Sequence, residues 1–132
     1  MRAEAIIKAL LEAAPGVTTL VGSRLYAVAR PELDPLPAIV WSVISDMPRP
    51  PFDATAGSEP CSARIQINCL GAGVAAVKAL VEQVRLACHL QSGTVAGITV
   101  IAVLQDVTGP DGYDALVDTY QQSVDFVVHY LR

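Results

Sequence analysis

The sequence predicts an α+β fold, a mostly antiparallel four-stranded sheet with two main helices packed on one face. Three observations lead there. Residues 61–70 alternate cleanly between apolar and polar, the pattern of a strand with one wet face, which belongs in an antiparallel sheet. Residues 73–90 place apolar side chains at steps of three and four, as a helix lying on a core does. The elements follow as helix, strand, strand, helix, strand, strand, without the regular strand–helix alternation of a parallel sheet.

The first helix is expected over residues 2–14, with Ile6, Leu10 and Ala13 on one face, Ile7 and Leu11 beside them, and Glu4, Lys8 and Glu12 opposite. Pro15-Gly16 ends it, and residues 17–21 form a short helical turn closing on Gly22. Three prolines between positions 30 and 37 keep the chain extended. The first strand spans residues 37–46, with Ile39, Trp41 and Val43 on one face. Residues 47–60 carry four prolines in 14 positions, too many for a ladder, and form a long loop between the first two strands. In the second strand Ala63, Ile65, Ile67 and Cys69 face in, while Ser62, Arg64, Gln66 and Asn68 face out. The second helix sets Val74, Val77, Val81, Val84 and Cys88 inward, with Lys78 placed to pair with Glu82. A third strand over residues 94–106 is apolar on both faces, with Ile98, Val100 and Leu104 against Ile101 and Val103, so it is central or covered by a neighbour. Gly109-Pro110-Asp111-Gly112 is a turn, and the last strand, residues 116–131, aligns Tyr120, Val124, Phe126, Val128 and Tyr130.

A chain of 132 residues is expected to form one domain, 1–132. Charged residues make up 17%, below the roughly 25% of an average soluble domain, while 52% are hydrophobic and the mean hydropathy is +0.44. Such a surface predicts partial cover by another subunit. The net charge of −4 and nine scattered basic residues argue against sequence-specific nucleic-acid binding. No apolar run approaches the roughly 20 residues of a membrane span, and the polar stripe at Glu4, Lys8 and Glu12 reads as an amphipathic helix rather than a leader. The chain is therefore expected to be made and used in cytosol. Cys61, Cys69 and Cys88 read as buried free thiols.

Candidate chemistry is sparse. Gly71-Ala72-Gly73-Val74-Ala75-Ala76 fits a dinucleotide fingerprint with Ala in the last place, and the alternative function is a small nucleotide- or metabolite-binding domain using that turn. Against it, the preceding strand is polar on one side, and residues 91–97, where the ribose-binding acid would fall, hold none. His89 and His129 read as surface residues, since neither sits where it could complete a ligand set or a triad. Asp111, Asp114 and Asp118 lack the alternating ligands of a calcium loop and read as a solvated turn. No catalytic residue, metal site or cofactor is expected. A third possibility is a homo-oligomeric adaptor sharing only the fold.

Four stretches, in this order, resemble the tail terminator, or tail completion, proteins of long-tailed phages, prophages and gene-transfer particles. They are Leu20-Val21-Gly22-Ser23-Arg24-Leu25-Tyr26, then Leu36-Pro37-Ala38-Ile39-Val40-Trp41, then Ala63-Arg64-Ile65-Gln66-Ile67-Asn68-Cys69, and Tyr120 through Tyr130 at the end. Residues 93–114 and the glycines at 71 and 73 do not match the family pattern. The resemblance implies a structural protein of the virion tail, assembled in the host cytoplasm as a hexameric ring at the head-proximal end. Its implied partners are further copies of itself, the tail tube protein and the head–tail connector protein, with DNA passing through the hole unread. Arg24 and Arg64 lie in matching stretches and fit either ion pairs or interface contacts. The long loop carries Phe52 and Asp53 close to Arg49, and aromatic and Arg side chains are enriched at interface hot spots. Arg49, Phe52, Asp53 and Arg64 are thus the expected contacts to the tail tube or a neighbouring subunit.

Overall fold

The computed structural model describes residues 3–30, 35–49 and 59–132. Helix α1 (Ala3–Ala13) buries Ala3, Ile6, Ile7 and Leu11, and Lys8 pairs with Glu12 at 3.7 Å on its wet side. Pro15 begins α2 (Pro15–Val21), where its missing N–H is no loss, and Gly22 ends it with φ 58, a conformation that favours glycine. The expected single turn at 17–21 is thus a seven-residue helix.

The sheet differs from the expected four strands. It has seven among the described residues: β1 (Leu25–Ala27), β2 (Ala38–Pro48), β3 (Pro60–Gly71), β4 (Gln91–Val95), β5 (Ile98–Thr108), β6 (Gly112–Asp114) and β7 (Thr119–Leu131). Their spatial order is β1-β2-β3-β7-β5-β4, with β6 also pairing β7. Strand β1 runs parallel to β2 and the other pairings are antiparallel, so the sheet is mixed. The extra strands are short. Three residues are too few to display a period of two, which hides β1 and β6 from a sequence reading.

The expected third strand at 94–106 is a hairpin, β4 turning at Ala96-Gly97 into β5. Beyond the turn, the register slips between Val100 and Ala102, so Ile98, Val100 and Val103 are buried while Ile101 and Leu104 are exposed. Leu104 is therefore not in phase with Ile98 and Val100: an extra residue in one strand moves every later side chain to the other face.

Helix α3 (Val74–Cys88) sits with α1 and α2 over one face of the sheet. It buries Val77, Leu80, Val84 and Cys88, whereas Val74 is exposed. Lys78 does not reach Glu82. It binds Asp111 and donates to Gln122 Oε1 at 3.0 Å, and Glu82 accepts instead from Arg85 at 3.2 Å. One core cluster joins the three helices to Ile39 and Trp41 of β2, Ile65, Ile67 and Cys69 of β3, and Val124, Phe126, Val128 and Tyr130 of β7. None of the described helices is long and apolar enough to cross a membrane.

Candidate assembly surfaces

Alternation along β3 and β7 places Ser62, Arg64, Gln66 and Asn68 beside Ser123, Asp125, Val127 and His129 on the helix-free face of the sheet. Arg64 is the cation at its centre. Its guanidinium binds Asp106 of β5 and Asp125 of β7, the latter at 3.3 Å. The two carboxylates hold its pKa above the ordinary value, led by the hydrogen bond to Asp106. Three adjacent strands are thereby cross-linked by one side chain, and the positive charge is matched by two negative ones. The sequence marks Arg64 as outward-facing, but its partners depend on registers that no local pattern fixes.

Arg24 bonds to backbone carbonyls of its own subunit. Its Nε donates to the Pro37 carbonyl at 2.8 Å and its Nη2 to the Leu20 carbonyl at 3.2 Å. Leu20 lies in the last turn of α2, whose carbonyls have no helical partner, so Arg24 ties that end to the entry of β2.

Arg49 is exposed where β2 ends. Its backbone N–H donates to the Pro60 carbonyl at 2.7 Å, so the β2–β3 ladder closes just before the Pro-rich loop. Tyr130 braces the same end: its buried ring sends the hydroxyl to the Asp46 carboxylate at 2.7 and 2.9 Å. Burial first, and then the Asp46 contact, push the Tyr130 pKa up. Phe52 and Asp53 lie outside the described residues, and Arg49 and Arg64 are on different parts of the sheet. The Tyr130–Asp46 pair has no sequence signal, because its members are 84 residues apart.

The turn at Gly71–Gly73 leads out of a strand antiparallel to both its neighbours, unlike the parallel strand of a dinucleotide fold. A Cβ on Gly71 would come within 3.0 Å of Val77 Cγ2, so this glycine serves the close approach of α3 to the sheet. His89 is not a free surface residue. Its Nδ1 accepts the Gln105 N–H at 3.0 Å and fastens the end of α3 to β5. Among the described residues, no three His, Cys, Asp or Glu side chains are grouped to hold a metal ion. The three cysteines are buried and unbridged, as their phase predicts. Burial pushes the Cys69 and Cys88 thiols up to about 12, so both are neutral.

Residues 4–130 match the family model of the tail completion protein gp17, and the chain belongs to that family. It is a structural protein of the virion tail. Among solved structures, a chain in the virion of a native gene transfer agent particle superposes with a TM-score of 0.71 at 17% identity, covering 98% of this chain and 95% of its own length. A second solved chain gives a TM-score of 0.60 at 13% identity over 98% of this chain and 92% of that one. Both likenesses concern the fold. No curated protein sequence matches.

Proposed function

We propose that this protein is the tail terminator: copies assemble as a hexameric ring on the head-proximal end of the tail tube, stop its polymerisation and join it to the head connector protein. The observation that carries the reading is the match to the tail completion family over residues 4–130, nearly the whole chain. The resemblance to a chain of a gene transfer agent virion supports it. The helix-free face supports a surface that DNA can pass without adhering, because Arg64 is already neutralised by Asp106 and Asp125. The test is to add the purified protein to polymerising tail tubes and score tube-end occupancy by electron microscopy. Tubes of fixed length with a ring at one end support the reading, and unchanged growth ends it.

Within this reading, the segment bearing Phe52 and Asp53, with Arg49 at its base, grips the tail tube or the neighbouring subunit. The closed ladder at Arg49 and Pro60 supports a fixed point of departure. Replacing residues 50–56 with a Gly/Ser linker is expected to leave the fold intact and abolish capping. Capping at the parent level would end this assignment.

A further inference from the structure

Strand β4 pairs with β5 as far as Gln91 opposite Val103, and Leu90 just before it still donates its N–H to the Val103 carbonyl at 2.7 Å. Main-chain groups alternate in direction along a strand, so the next donor that β5 turns toward this edge is the Gln105 N–H. The residue placed to answer it is His89, whose backbone is already committed to the helix. Its N–H donates to the Arg85 carbonyl at 2.9 Å, as the C-cap of α3. Leu90, with φ 64, makes the reversal from helix to strand. The imidazole takes the place of the missing carbonyl, Nδ1 accepting the Gln105 N–H at 3.0 Å. One rung of the edge ladder is therefore a side chain. A carbonyl accepts at any pH, whereas an imidazole nitrogen accepts only while it carries no proton.

Nδ1 is an acceptor in the neutral ring, with the ring's proton on Nε2. A second proton has to sit on Nδ1, where it points at the Gln105 N–H and sets two donors against each other. The surroundings do not compensate for that proton. Arg85, one turn back on α3, is itself a cation and binds Glu82. Asp106, next to Gln105, binds Arg64 on the helix-free face, where Asp125 and His129 of β7 also lie. Strand β4 and helix α2 have no ionisable side chain. On α1, which packs against α3 and β4, Glu4 lies in the first turn and Lys8 pairs with Glu12. The adjacent Cys88 is buried and neutral. Among the described residues no carboxylate pairs with the His89 ring.

We propose that His89 is an acid-sensitive latch: its neutral ring fastens the end of α3 and the β4–β5 hairpin to the sheet, and protonation releases them. Imidazole is the side chain whose charge ordinarily changes between about pH 5 and 8. In the latched chain the added proton costs the Gln105 hydrogen bond, and in the opened chain it costs nothing. The edge is therefore held at neutral pH and loosens as pH falls across that interval. The central ladder of β3 with β7 is paired by backbone groups from Pro60 to Gly71, so the release is confined to the edge.

The experiment follows amide hydrogen exchange in the full chain along an acid titration, corrected for the intrinsic pH dependence, with imidazole ring shifts read from the same samples. Protection of the Gln105 N–H and of the Gln91–Val95 amides is expected to fall about tenfold as the His89 ring takes up its proton, the worth of one hydrogen bond. Amides of β3 and β7 should keep theirs. In His89→Asn the Oδ1 lies as many bonds from the backbone as Nδ1 and accepts at any pH, so the edge should stay protected throughout. A protonated ring with the Gln105 N–H still protected would overturn the proposal. So would the same loss in His89→Asn, or an equal loss along β3 and β7. The ring shifts and exchange of the parent alone decide the first and last of these, whether or not the variant folds.

Discussion

Along β3 and β7 the pairing runs unbroken, from Pro60 opposite Leu131 to Gly71 opposite Tyr120. Along β5 the pairing with β7 slips twice, and its pairing with β4 slips once more. The central pair lies beneath the helices, where every second side chain must enter the core, and a one-residue slip would turn Ile65, Ile67, Phe126 and Val128 out into water. The edge pair carries fewer buried side chains, so a bulge costs little and re-aims the side chains beyond it. Regular pairing is thus enforced by the core and relaxed away from it. This difference makes β5 and its surroundings suited to display apolar groups such as Ile101 and Val107 without loss of the fold.

Removing the largest apolar side chain of the central ladder has the largest effect. Phe126 is fully buried, and Phe126→Ala is expected to destabilise by about 3–5 kcal/mol through lost transfer energy and the cavity left behind. Urea unfolding followed by tryptophan fluorescence of Trp41 measures it. A loss below about 1 kcal/mol would mean that the centre packs no more tightly than the edge.

A pair of substitutions on β5 sharpens the contrast. Val103 is fully buried after the bulge, so Val103→Ala should cost about 2 kcal/mol, two methyl groups plus a residual cavity. Leu104→Ala should cost below about 1 kcal/mol, since its side chain is 38% exposed in the subunit. Strict alternation from Ile98 would give the reverse order, so the two denaturation midpoints test the register directly.

Cys69 of β3 and Cys88 of α3 probe the centre through the pH dependence of stability. Each thiol titrates near 12 in the folded chain, against 9.0 in its absence. Below pH 9 both states hold the proton and the thiols contribute no pH dependence. Above it the unfolded chain loses protons that the folded chain keeps, so stability falls as pH rises from about 9 toward 12, by up to about 1.4 kcal/mol per pH unit per thiol. Comparing the slope for the parent with that for Cys88→Ala between pH 8 and pH 11 isolates one thiol. Equal slopes would mean that Cys88 is open to water.

Legibility in the sequence divides along the same line. The phase of β3 and β7, the buried face of α3 and the inward thiols can all be read, because a strand or helix against a core repeats its pattern for several turns. Arg64 can be recognised as outward, and its neutralisation by Asp106 and Asp125 cannot, because that depends on how three strands are registered. The strained Val28 and Leu90 are likewise silent: a positive φ at a bulky residue contradicts local preference, and only the surrounding strands impose it.

The β4–β5 turn escapes a sequence reading for a related reason, and it supplies the smallest test. A two-residue hairpin joins Val95 to Ile98, and both central residues have positive φ, Ala96 at 52 and Gly97 at 76. Such turns are signalled by Asn-Gly or Asp-Gly, and Ala-Gly carries only half of that signal. Ala96 keeps its Cβ in a region where asparagine is tolerated better, so the hairpin forms because β5 is held by β7, in spite of its own turn. Ala96→Asn is therefore expected to stabilise the protein by about 0.5 kcal/mol, a fraction of the roughly 1–2 kcal/mol that a left-handed residue with a Cβ carries. The gain should appear as slower amide exchange in Gln91–Val95, the edge strand, with exchange in β3 and β7 unchanged. Equal slowing in all three strands would mean that edge and centre open as one unit, and the distinction between them would hold for packing but not for stability.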